Sequence, residues 1–514
     1  MNTRTLVVLS AALACAALPP VRAAAATVQT APGPVSEAAF VQATDRIIAM
    51  MEATTTTPGA SPATAVVMVR RGQAPRIWTH GRLAMDRPGE VDGDTPFYIA
   101  SQTKSFVGLM AVALDARGVF DLDQTMADVW PDLTLPRGAD PKAITFRQLL
   151  SHQAPIENDA LSFRTSYTDH VPSADYARLL ATASRARSPG YAYSNLGYLI
   201  YGAALEVKTG RDWRDWIVDT VFTPLGMRRS GPWSSRVDPG QLPSYHHWSG
   251  AEAWSIQPVK PDDLMHAAGG LNVSPNDMAR WLMLQLGGVG GPQVEAMVEA
   301  SHVIQVRGNQ RNDAIQCQAY AIGWMSCRVG AVDVLFHGGS YTGMRGGMAV
   351  SPQLGVAIAF MSNSDSLTGG LGQRTIQTFL EGVQDPSTLP DAGAVGADYA
   401  RRMADSGRAR LRAAAEARGD RRWEGWAWTP AGAALSDYAG TFRHAAFGDM
   451  AISASTDALD ARIGVLSRRL QPARPDLFAL PDGPLAPLEP IAFQRRDGRI
   501  VSLTWQDQRF ERID

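Results

Sequence analysis

The order of strand-like and helical segments is the feature that most constrains how this 514-residue chain can fold. Alternating apolar and polar residues at 63–71 and 77–81 predict two paired strands near the start. Strand patterns return after about residue 300, in four segments: 320–324, 332–336, 347–350 and 356–361. The residues between have helical spacing and Pro/Gly turns. The pattern predicts an α+β fold, in which an antiparallel sheet is built from both ends of the region and a helical subdomain is inserted.

The residues beyond about 390 follow a different pattern. Residues 398–418 are rich in Ala and Arg with helical spacing, and from Leu435 short strands alternate with frequent turns. This change predicts a small all-β, barrel-like module at the C-terminus. The predicted boundaries are a signal peptide at 1–26, a main domain at 37–388, a helical linker at 389–433 and the β module at 434–514.

The N-terminus has the parts of an export signal. Arg4 supplies positive charge, residues 6–18 are apolar but too few to span a bilayer comfortably, and Val21-Arg22-Ala23 matches a cleavage site. The sequence therefore predicts a secreted or periplasmic protein. A lipoprotein anchor at Cys15 is the alternative, although Ala12 stands where such signals usually have Leu. No later run of 18 apolar, uncharged residues occurs, so we expect no transmembrane span.

The charge composition narrows the class of partner. Lys and Arg total 48 against 50 Asp and Glu, which gives a net charge of -2. Nucleic-acid binding needs a concentrated basic surface, so we expect no nucleic-acid partner. Lysine occurs only at positions 104, 142, 208 and 260, which makes a lysine within a motif informative.

The tetrapeptide Ser101-Gln102-Thr103-Lys104 lies where the apolar segment 97–100 meets a helical pattern. Residues three apart share one face of a helix, so the lysine amine is expected beside the serine hydroxyl. Serine is a good nucleophile only when a base takes its proton, and lysine can be that base only if burial or a nearby cation lowers its pKa. The alternative is a serine that caps the helix, followed by a solvated lysine.

Tyr193-Ser194-Asn195 forms a second candidate motif, just before another helical pattern. A phenol can relay a proton between a serine and a leaving group. An asparagine amide has both donors and acceptors, so it can hold a lysine and a substrate carbonyl together. The alternative is a turn whose tyrosine packs in the core.

His337-Gly338-Gly339-Ser340 forms a third candidate motif, directly after the apolar strand 332–336. Paired glycines allow a substrate backbone to approach a strand closely. The alternative is a β-bulge with a buried, hydrogen-bonded histidine.

Three motifs in this order resemble those of one enzyme family: Ser101-x-x-Lys104, Tyr193-x-Asn195 and His337-x-Gly339. The family contains class C β-lactamases, D-alanyl-D-alanine carboxypeptidases, D-aminopeptidases and β-lactamase-like esterases. The resemblance covers about residues 37–385 and implies a β-lactamase/transpeptidase-like fold. The C-terminal module is a looser match to the small barrel that often follows such domains.

The resemblance implies acyl transfer in two steps through an acyl-enzyme on Ser101. Lys104 and Tyr193 would share the role of base, and which of them takes the first proton stays open. Asn195 would orient the lysine and the substrate. The backbone N–H groups of Ser101 and Ser340 would form the oxyanion hole.

The resemblance also bears on the substrate, which is expected to be a D-amino-acid peptide, a small ester or a β-lactam. His337 and Gly339 would line the substrate site. His337 stands where β-lactamases have a lysine, and a neutral histidine holds a carboxylate less firmly than a permanent cation. This departure weakens the expectation of an antibiotic substrate.

The string Lys208-Thr209-Gly210 is a decoy, because it matches the usual third motif of β-lactamases letter for letter. It ends the helical stretch that begins near Leu196, and no strand precedes it. We interpret it as a helix end with Gly210 in the C′ position.

The Cys and His pattern predicts neither a metal nor a cofactor. His246-His247 lacks the spaced carboxylate or cysteine set that a metal site needs, so a loop contact is expected. After the predicted cleavage only Cys317 and Cys327 remain, on either side of segment 320–324. In an oxidising compartment they form either a disulfide that closes a short hairpin or two small buried residues.

Two other functions compete with the enzyme. A penicillin or peptidoglycan sensor with little turnover would keep the same fold and would be acylated without deacylation. Alternatively the C-terminal module would be the functional centre, binding a lipid or a partner. The aromatic and His-containing stretch 233–254 either walls the substrate pocket or is loop packing.

Overall fold

The computed structural model describes residues 33–250, 254–312, 315–366, 368–419, 423, 428, 435–481 and 488–514. The predicted signal peptide at 1–26, with Cys15, lies outside the described residues. The helices are α1 Glu37–Thr54, α2 Thr103–Ala116, α3 Met126–Val129, α4 Phe146–Leu150, α5 Asp159–Phe163, α6 Tyr176–Ala183, α7 Leu196–Thr209, α8 Trp213–Ile217, α9 Thr223–Leu225, α10 His266–Gly269, α11 Pro275–Gln285, α12 Pro292–His302, α13 Thr368–Gly382 and α14 Ala392–Arg418. The strands are β1 Ala63–Arg70, β2 Arg76–Gly81, β3 Phe97–Tyr98, β4 Ile156–Glu157, β5 Arg185–Ala186, β6 Tyr245–Trp248, β7 Trp254–Gln257, β8 Asn272–Val273, β9 Val306–Asn312, β10 Ile315–Tyr320, β11 Met325–Val329, β12 Val332–Tyr341, β13 Met344–Ser351, β14 Val356–Ser362, β15 Gly440–His444, β16 Gly448–Ala454, β17 Leu459–Ile463, β18 Leu466–Arg474, β19 Leu477–Pro481, β20 Leu488–Arg496, β21 Arg499–Trp505 and β22 Gln508–Arg512.

The main sheet has eight antiparallel strands in the order β2-β1-β14-β13-β12-β11-β10-β9. Strand β1 pairs directly with β14, so the two ends of the region meet within one sheet, one strand in from the β2 edge, with Val66 opposite Phe360. The helices α2 to α12 all lie in the chain between β2 and β9. The predicted α+β fold with an inserted helical region is therefore confirmed.

Strand β1 shows how the sequence divides the core in two. Its side chains alternate between the faces of the sheet, as in any strand. Val67 and Val69 join the core on the side of α2 and α7, whereas Val66 and Met68 pack with residues of α1 and α13 on the other side. Because both faces are covered by helices, β1 is apolar along nearly its whole length rather than alternately apolar and polar.

The prediction of a strand at 320–324 is wrong. Tyr320 is the last residue of β10 and Met325 is the first of β11, so the residues between form a hairpin turn. Gly323 has a φ of 86°, and a Cβ there would lie 2.4 Å from the backbone oxygen of Lys104. The segment is apolar because the turn is buried against α2, and an apolar run alone does not separate a buried strand from a buried turn.

Cys317 and Cys327 are cross-strand partners in β10 and β11 and form a disulfide. The bond closes this hairpin, so of the two alternatives left open by the sequence the structure has the disulfide. An oxidising compartment is where such a bond persists.

The C-terminal strands β15 to β22 form a closed eight-stranded barrel, which confirms the predicted all-β module. The barrel core is filled by large side chains, including Phe442, Phe478, Phe493, Trp505 and Phe510. Strand patterns in the sequence missed three strands, β18, β19 and β22. In β18 and β22 arginines dominate the outward positions, so the apolar signal is weak.

The barrel is attached to the helical region through α5 and the π-helical turn that follows it. The Phe163 ring lies 5.8 Å from the ring of Phe447 and 5.4 Å from that of Trp505. The backbone N–H of Val465, in the β17–β18 hairpin, donates to the backbone oxygen of Thr168 at 2.7 Å. These contacts place the barrel beside residues 163–168.

Helix α14 lies within the predicted linker, and it packs against α1. A Cβ at Gly396 would lie 2.6 Å from the backbone oxygen of Ala53, so the two helices approach closely. The predicted domain boundaries stay predictions. No helix among the described residues is long and apolar enough to cross a membrane.

Candidate active site

Ser101 lies in a 3-10 turn, Ala100–Gln102, which joins β3 to α2. The preceding Ala100 has a φ of 46°, a left-handed conformation that costs a non-glycine residue free energy. Such strain persists only where surrounding packing determines it, and it clusters at functional sites. The turn presents the Ser101 side chain, half-buried, at the start of the helix.

Lys104 is fully buried and, in its protonated form, donates three hydrogen bonds, one with each ammonium hydrogen. Its Nζ lies 3.1 Å from Ser101 Oγ, 2.8 Å from Asn195 Oδ1 and 2.7 Å from the backbone oxygen of Ala268. All three acceptors are uncharged, so this set contains no opposite charge to offset the cost of burying a cation. Burial consequently lowers the pKa of Lys104 well below its usual value.

The Tyr193 phenol hydrogen-bonds with Ser101, and the side chain is half-buried. Its ring centroid lies 5.1 Å from Lys104 Nζ. Burial raises the pKa of Tyr193, and the hydrogen bond from Ser101 opposes that rise. The side chain is therefore a neutral phenol at ordinary pH, suited to pass a proton rather than to remove one unaided.

Asn195 immediately precedes α7 and occupies the capping position of that helix. Asparagine is a favoured capping residue, yet here its side chain makes no capping bond and instead accepts from Lys104. The tertiary contact thus takes the side chain that local structure would have used.

His337 is buried in β12 with both ring nitrogens bonded. Its Nδ1 lies 2.8 Å from the backbone oxygen of Gly338, and its Nε2 lies 3.3 Å from the Tyr320 hydroxyl. Burial and the positive charge of Lys104 lower the pKa of His337 to about 3. The residue is therefore neutral at physiological pH and supplies no permanent charge to the site.

Strand β12 passes directly against the turn that holds Ser101. A Cβ at Gly339 would lie 2.3 Å from the backbone oxygen of Ile99, whereas a Cβ at Gly338 would have its nearest neighbour at 3.7 Å. Gly339 is needed for contact with the protein's own turn, which differs from the expectation that both glycines admit the substrate. The sheet register pairs β12 with β11 only up to Phe336, and β13 alone pairs residues 337–341.

The structure brings together the candidate residues from all three motifs. Ser101, Lys104, Tyr193 and Asn195 are linked by direct hydrogen bonds. His337 lies beside them, with its ring centroid 6.1 Å from that of Tyr193. Gly339 lies against Ile99, and Ser340 is the exposed residue that follows it in β12.

Sequence reasoning missed two partners of the site. The backbone oxygen of Ala268 binds Lys104, and no side-chain pattern signals a backbone acceptor. Tyr320 binds His337, but the sequence showed it only as part of an apolar segment.

The decoy Lys208-Thr209-Gly210 ends α7, as predicted. Gly210 has a φ of 68°, and its N–H donates to the backbone oxygen of Glu206 at 2.7 Å. Lys208 hydrogen-bonds with Gln124.

In the stretch 233–254, of which residues 251–253 lie outside the described residues, Tyr245 packs against the segment that leads to Ser101. The Tyr245 ring stacks 5.6 Å from that of Tyr98, and Ala100 belongs to the same apolar cluster. His246 Nδ1 lies 3.0 Å from the backbone oxygen of Asn363.

The fold and the linked side chains define a class, the beta-lactamase-like serine hydrolases. The Beta-lactamase family model matches residues 45–381, well over half of the chain. The chain belongs to the beta-lactamase family, and the resemblance drawn from the three motifs is confirmed.

Similar proteins agree with this class. A curated relative from Aspergillus campestris (strain IBT 28561), named an unguisins hydrolase, is 25% identical over 307 residues, which are 56% of this chain and 57% of the relative. The chain therefore spans less than two thirds of that relative's length. Together with the family, this relative supports a serine hydrolase in general.

Two solved structures are similar to the chain in fold alone. The D-amino acid amidase from Ochrobactrum anthropi SV3, complexed with L-phenylalanine amide, has a TM-score of 0.57 at 19% identity and covers 67% of this chain and 99% of its own. An octameric penicillin-binding protein homologue from Pyrococcus abyssi has a TM-score of 0.55 at 16% identity and covers 91% of this chain and 99% of its own.

Proposed function

We propose that this protein is a secreted serine hydrolase that cleaves an amide or ester through an acyl-enzyme on Ser101. The observation that carries the proposal is the position of Lys104, whose buried Nζ lies 3.1 Å from Ser101 Oγ. Burial lowers the pKa of Lys104 well below its usual value, which favours the neutral amine. A neutral amine at hydrogen-bond distance is what a serine nucleophile requires of its base.

In the first step the Lys104 amine takes the proton from Ser101 as Oγ bonds to the substrate carbonyl carbon. Asn195 keeps Lys104 in place through the 2.8 Å bond to its Nζ. The negative charge that forms on the carbonyl oxygen is stabilised by the backbone N–H groups of Ser101 and Ser340. Each such donor contributes about 3 to 4 kcal/mol in other hydrolases.

Collapse of this intermediate breaks the bond to the leaving group, which needs a proton. Tyr193 donates its phenolic proton to the leaving group and regains one from Lys104, so no net charge is left on the phenol. Water then attacks the acyl-enzyme, with the same groups acting in reverse, and frees Ser101. The hydrogen bond between Tyr193 and Ser101 supports this relay.

For the substrate we propose a D-amino-acid amide or peptide, or a small ester, ahead of a β-lactam. His337 has a pKa of about 3, so it provides no cation for the carboxylate of a β-lactam. The amidase named above acts as a precedent for an amide substrate on this fold.

The proposal is tested by mass spectrometry after incubation with a fluorophosphonate. We expect one adduct on the Ser101 peptide, none in Ser101→Ala, and normal labelling in Ser467→Ala, a control at an exposed serine of the barrel. Wild-type protein without an adduct, or an adduct that persists in Ser101→Ala, would contradict the proposal. Steady-state turnover of p-nitrophenyl esters, nitrocefin and D-amino-acid amides then ranks the substrates.

The same assay separates the enzyme from a sensor. A sensor gives a stable penicillin adduct and no steady-state hydrolysis of any substrate, whereas the proposed hydrolase turns over at least one of them. Export is a separate part of the proposal, supported by the disulfide and by the signal-like N-terminus. N-terminal sequencing of protein secreted by an expressing bacterium checks the cleavage.

A further inference from the structure

His152 holds the two residues on either side of Tyr193. The backbone N–H of Ala192 donates to the backbone oxygen of His152 at 3.0 Å. The backbone N–H of Ser194 donates to His152 Nδ1 at 3.2 Å. One residue thus fixes the chain immediately before and immediately after the phenol.

The backbone of His152 is in an unusual conformation for a histidine. Its φ is 61°, two residues beyond the end of α4, where a chain commonly uses glycine or asparagine. Its carbonyl also accepts from Arg187 at 3.1 Å. A residue held in a sparsely populated conformation at the edge of an active site points to a role for its side chain.

The imidazole of His152 is buried between two tyrosine rings. Its centroid lies 4.5 Å from that of Tyr193 and 4.5 Å from that of Tyr320. Because Nδ1 accepts a hydrogen bond, the proton of the neutral ring belongs on Nε2. Burial and the positive charge of Lys104 lower the pKa of His152 well below its usual value, which favours this neutral form.

We propose that His152 is a positioning residue for the reaction, which holds the Tyr193 phenol against Ser101 by binding both neighbouring backbone N–H groups. The inference rests on the proposed function of the site. His152 touches the motif and not the reacting atoms, so its effect is exerted through Tyr193. Loss of the Nδ1 acceptor would free the Ser194 side of the loop and leave the phenol less well placed.

Two substitutions isolate the acceptor from the backbone conformation. Asparagine and glycine both tolerate a positive φ, but only asparagine retains an acceptor near the position of Nδ1. We expect His152→Gly to lower kcat by about 100-fold, the size of effect that a misplaced catalytic group produces. We expect KM to change little, and His152→Asn to recover most of kcat.

The measurements are kcat and KM per active site, with sites counted by fluorophosphonate labelling so that misfolded protein does not contribute. His152→Ala replaces His152→Gly if the glycine variant does not fold. The same substitutions are made in Tyr193→Phe. In the Tyr193→Phe background, His152→Gly should lower kcat little further, because the hydroxyl that His152 positions is already absent.

Equal losses of kcat in His152→Gly and His152→Asn would overturn the inference. So would effects of His152→Gly and Tyr193→Phe on kcat that are fully additive. If the wild-type protein is labelled at Ser101 and His152→Gly has an unchanged kcat, the inference about His152 is overturned and the proposed function is not. A wild-type protein without labelling would overturn the proposed function and this inference together.

Discussion

Asn195→Asp tests whether Lys104 acts as a neutral base. The substitution is nearly isosteric and places a carboxylate where the amide oxygen now lies, 2.8 Å from Lys104 Nζ. At an effective dielectric constant of about 20, two unit charges at this distance attract by about 6 kcal/mol. Asn195 is only half-buried, so we halve this energy for solvent screening. A rise of about 2 units in the pKa of the lysine follows, at about 1.4 kcal/mol per unit.

The assay is the pH dependence of kcat/KM for a neutral ester. Because the carboxylate stabilises the protonated lysine, the acid limb of the profile should move up by about 2 pH units, and the rate below it should fall about 100-fold. The pKa that this acid limb reports belongs to the coupled pair of Lys104 and the introduced carboxylate rather than to either group alone. Gln42→Glu, an exposed site on α1, adds the same charge away from the site and should leave the limb in place. An unmoved limb in Asn195→Asp, or an equal shift in Gln42→Glu, would refute the neutral-lysine mechanism.

Three further predictions follow from particular contacts. The pKa of His337 is about 3 in the folded protein but about 6.5 in the unfolded chain, so the folded state binds fewer protons below pH 6.5. The free energy of unfolding should therefore fall by up to about 1.4 kcal/mol per pH unit as the pH falls from 6.5 towards 3. Acid titration of stability should show a smaller loss in His337→Gln. Gly339→Ala should lower kcat/KM at least tenfold, because its Cβ would lie 2.3 Å from a backbone oxygen of the nucleophile turn. Gly338→Ala, whose Cβ would have its nearest atom at 3.7 Å, should change kcat/KM less. Equal effects of the two substitutions would count against the close approach. Gly464→Ala should weaken attachment of the barrel and increase proteolysis between the domains, because its Cβ would lie 1.6 Å from a backbone oxygen of the helical region. Gly498→Ala is the control, since Gly498 also has a positive φ but its Cβ would point into open space. Equal proteolysis of the two variants would contradict the contact.

The barrel bears on the competing idea that the C-terminal module binds a lipid. Its core is packed with aromatic side chains, among them Phe442, Phe493 and Trp505, which occupy the space a carrier would leave for a ligand. Its contacts reach the turn Arg164–Thr168, whose Tyr167 stacks on Tyr341, the residue after Ser340. The module is thus linked through packing to the strand that carries Ser340.

The sequence was informative about the fold where side chains alternate or repeat over several residues. The hairpin β1–β2 was predicted within a few residues of its bounds, although β1 is buried on both faces. Segment 320–324 was misassigned because its apolar residues fill a turn that packs against α2. Most of the eight barrel strands carry a weaker signal, since half of each strand faces solvent and arginines are frequent there.

Within the site, spacing along the sequence was sufficient to predict only one contact, that between Ser101 and Lys104. A separation of three residues at a helix start places Lys104 beside Ser101 whatever the rest of the chain does. The depressed pKa of that lysine depends on tertiary structure, because it comes from burial, and the acceptors that hold the amine, Asn195 and Ala268, are also far away in sequence. The position of Tyr193 likewise depends on His152, and no local rule relates residues 41 apart. Hydrogen bonds and desolvation act between neighbours in space, so the chemistry of this site was decided when the chain folded.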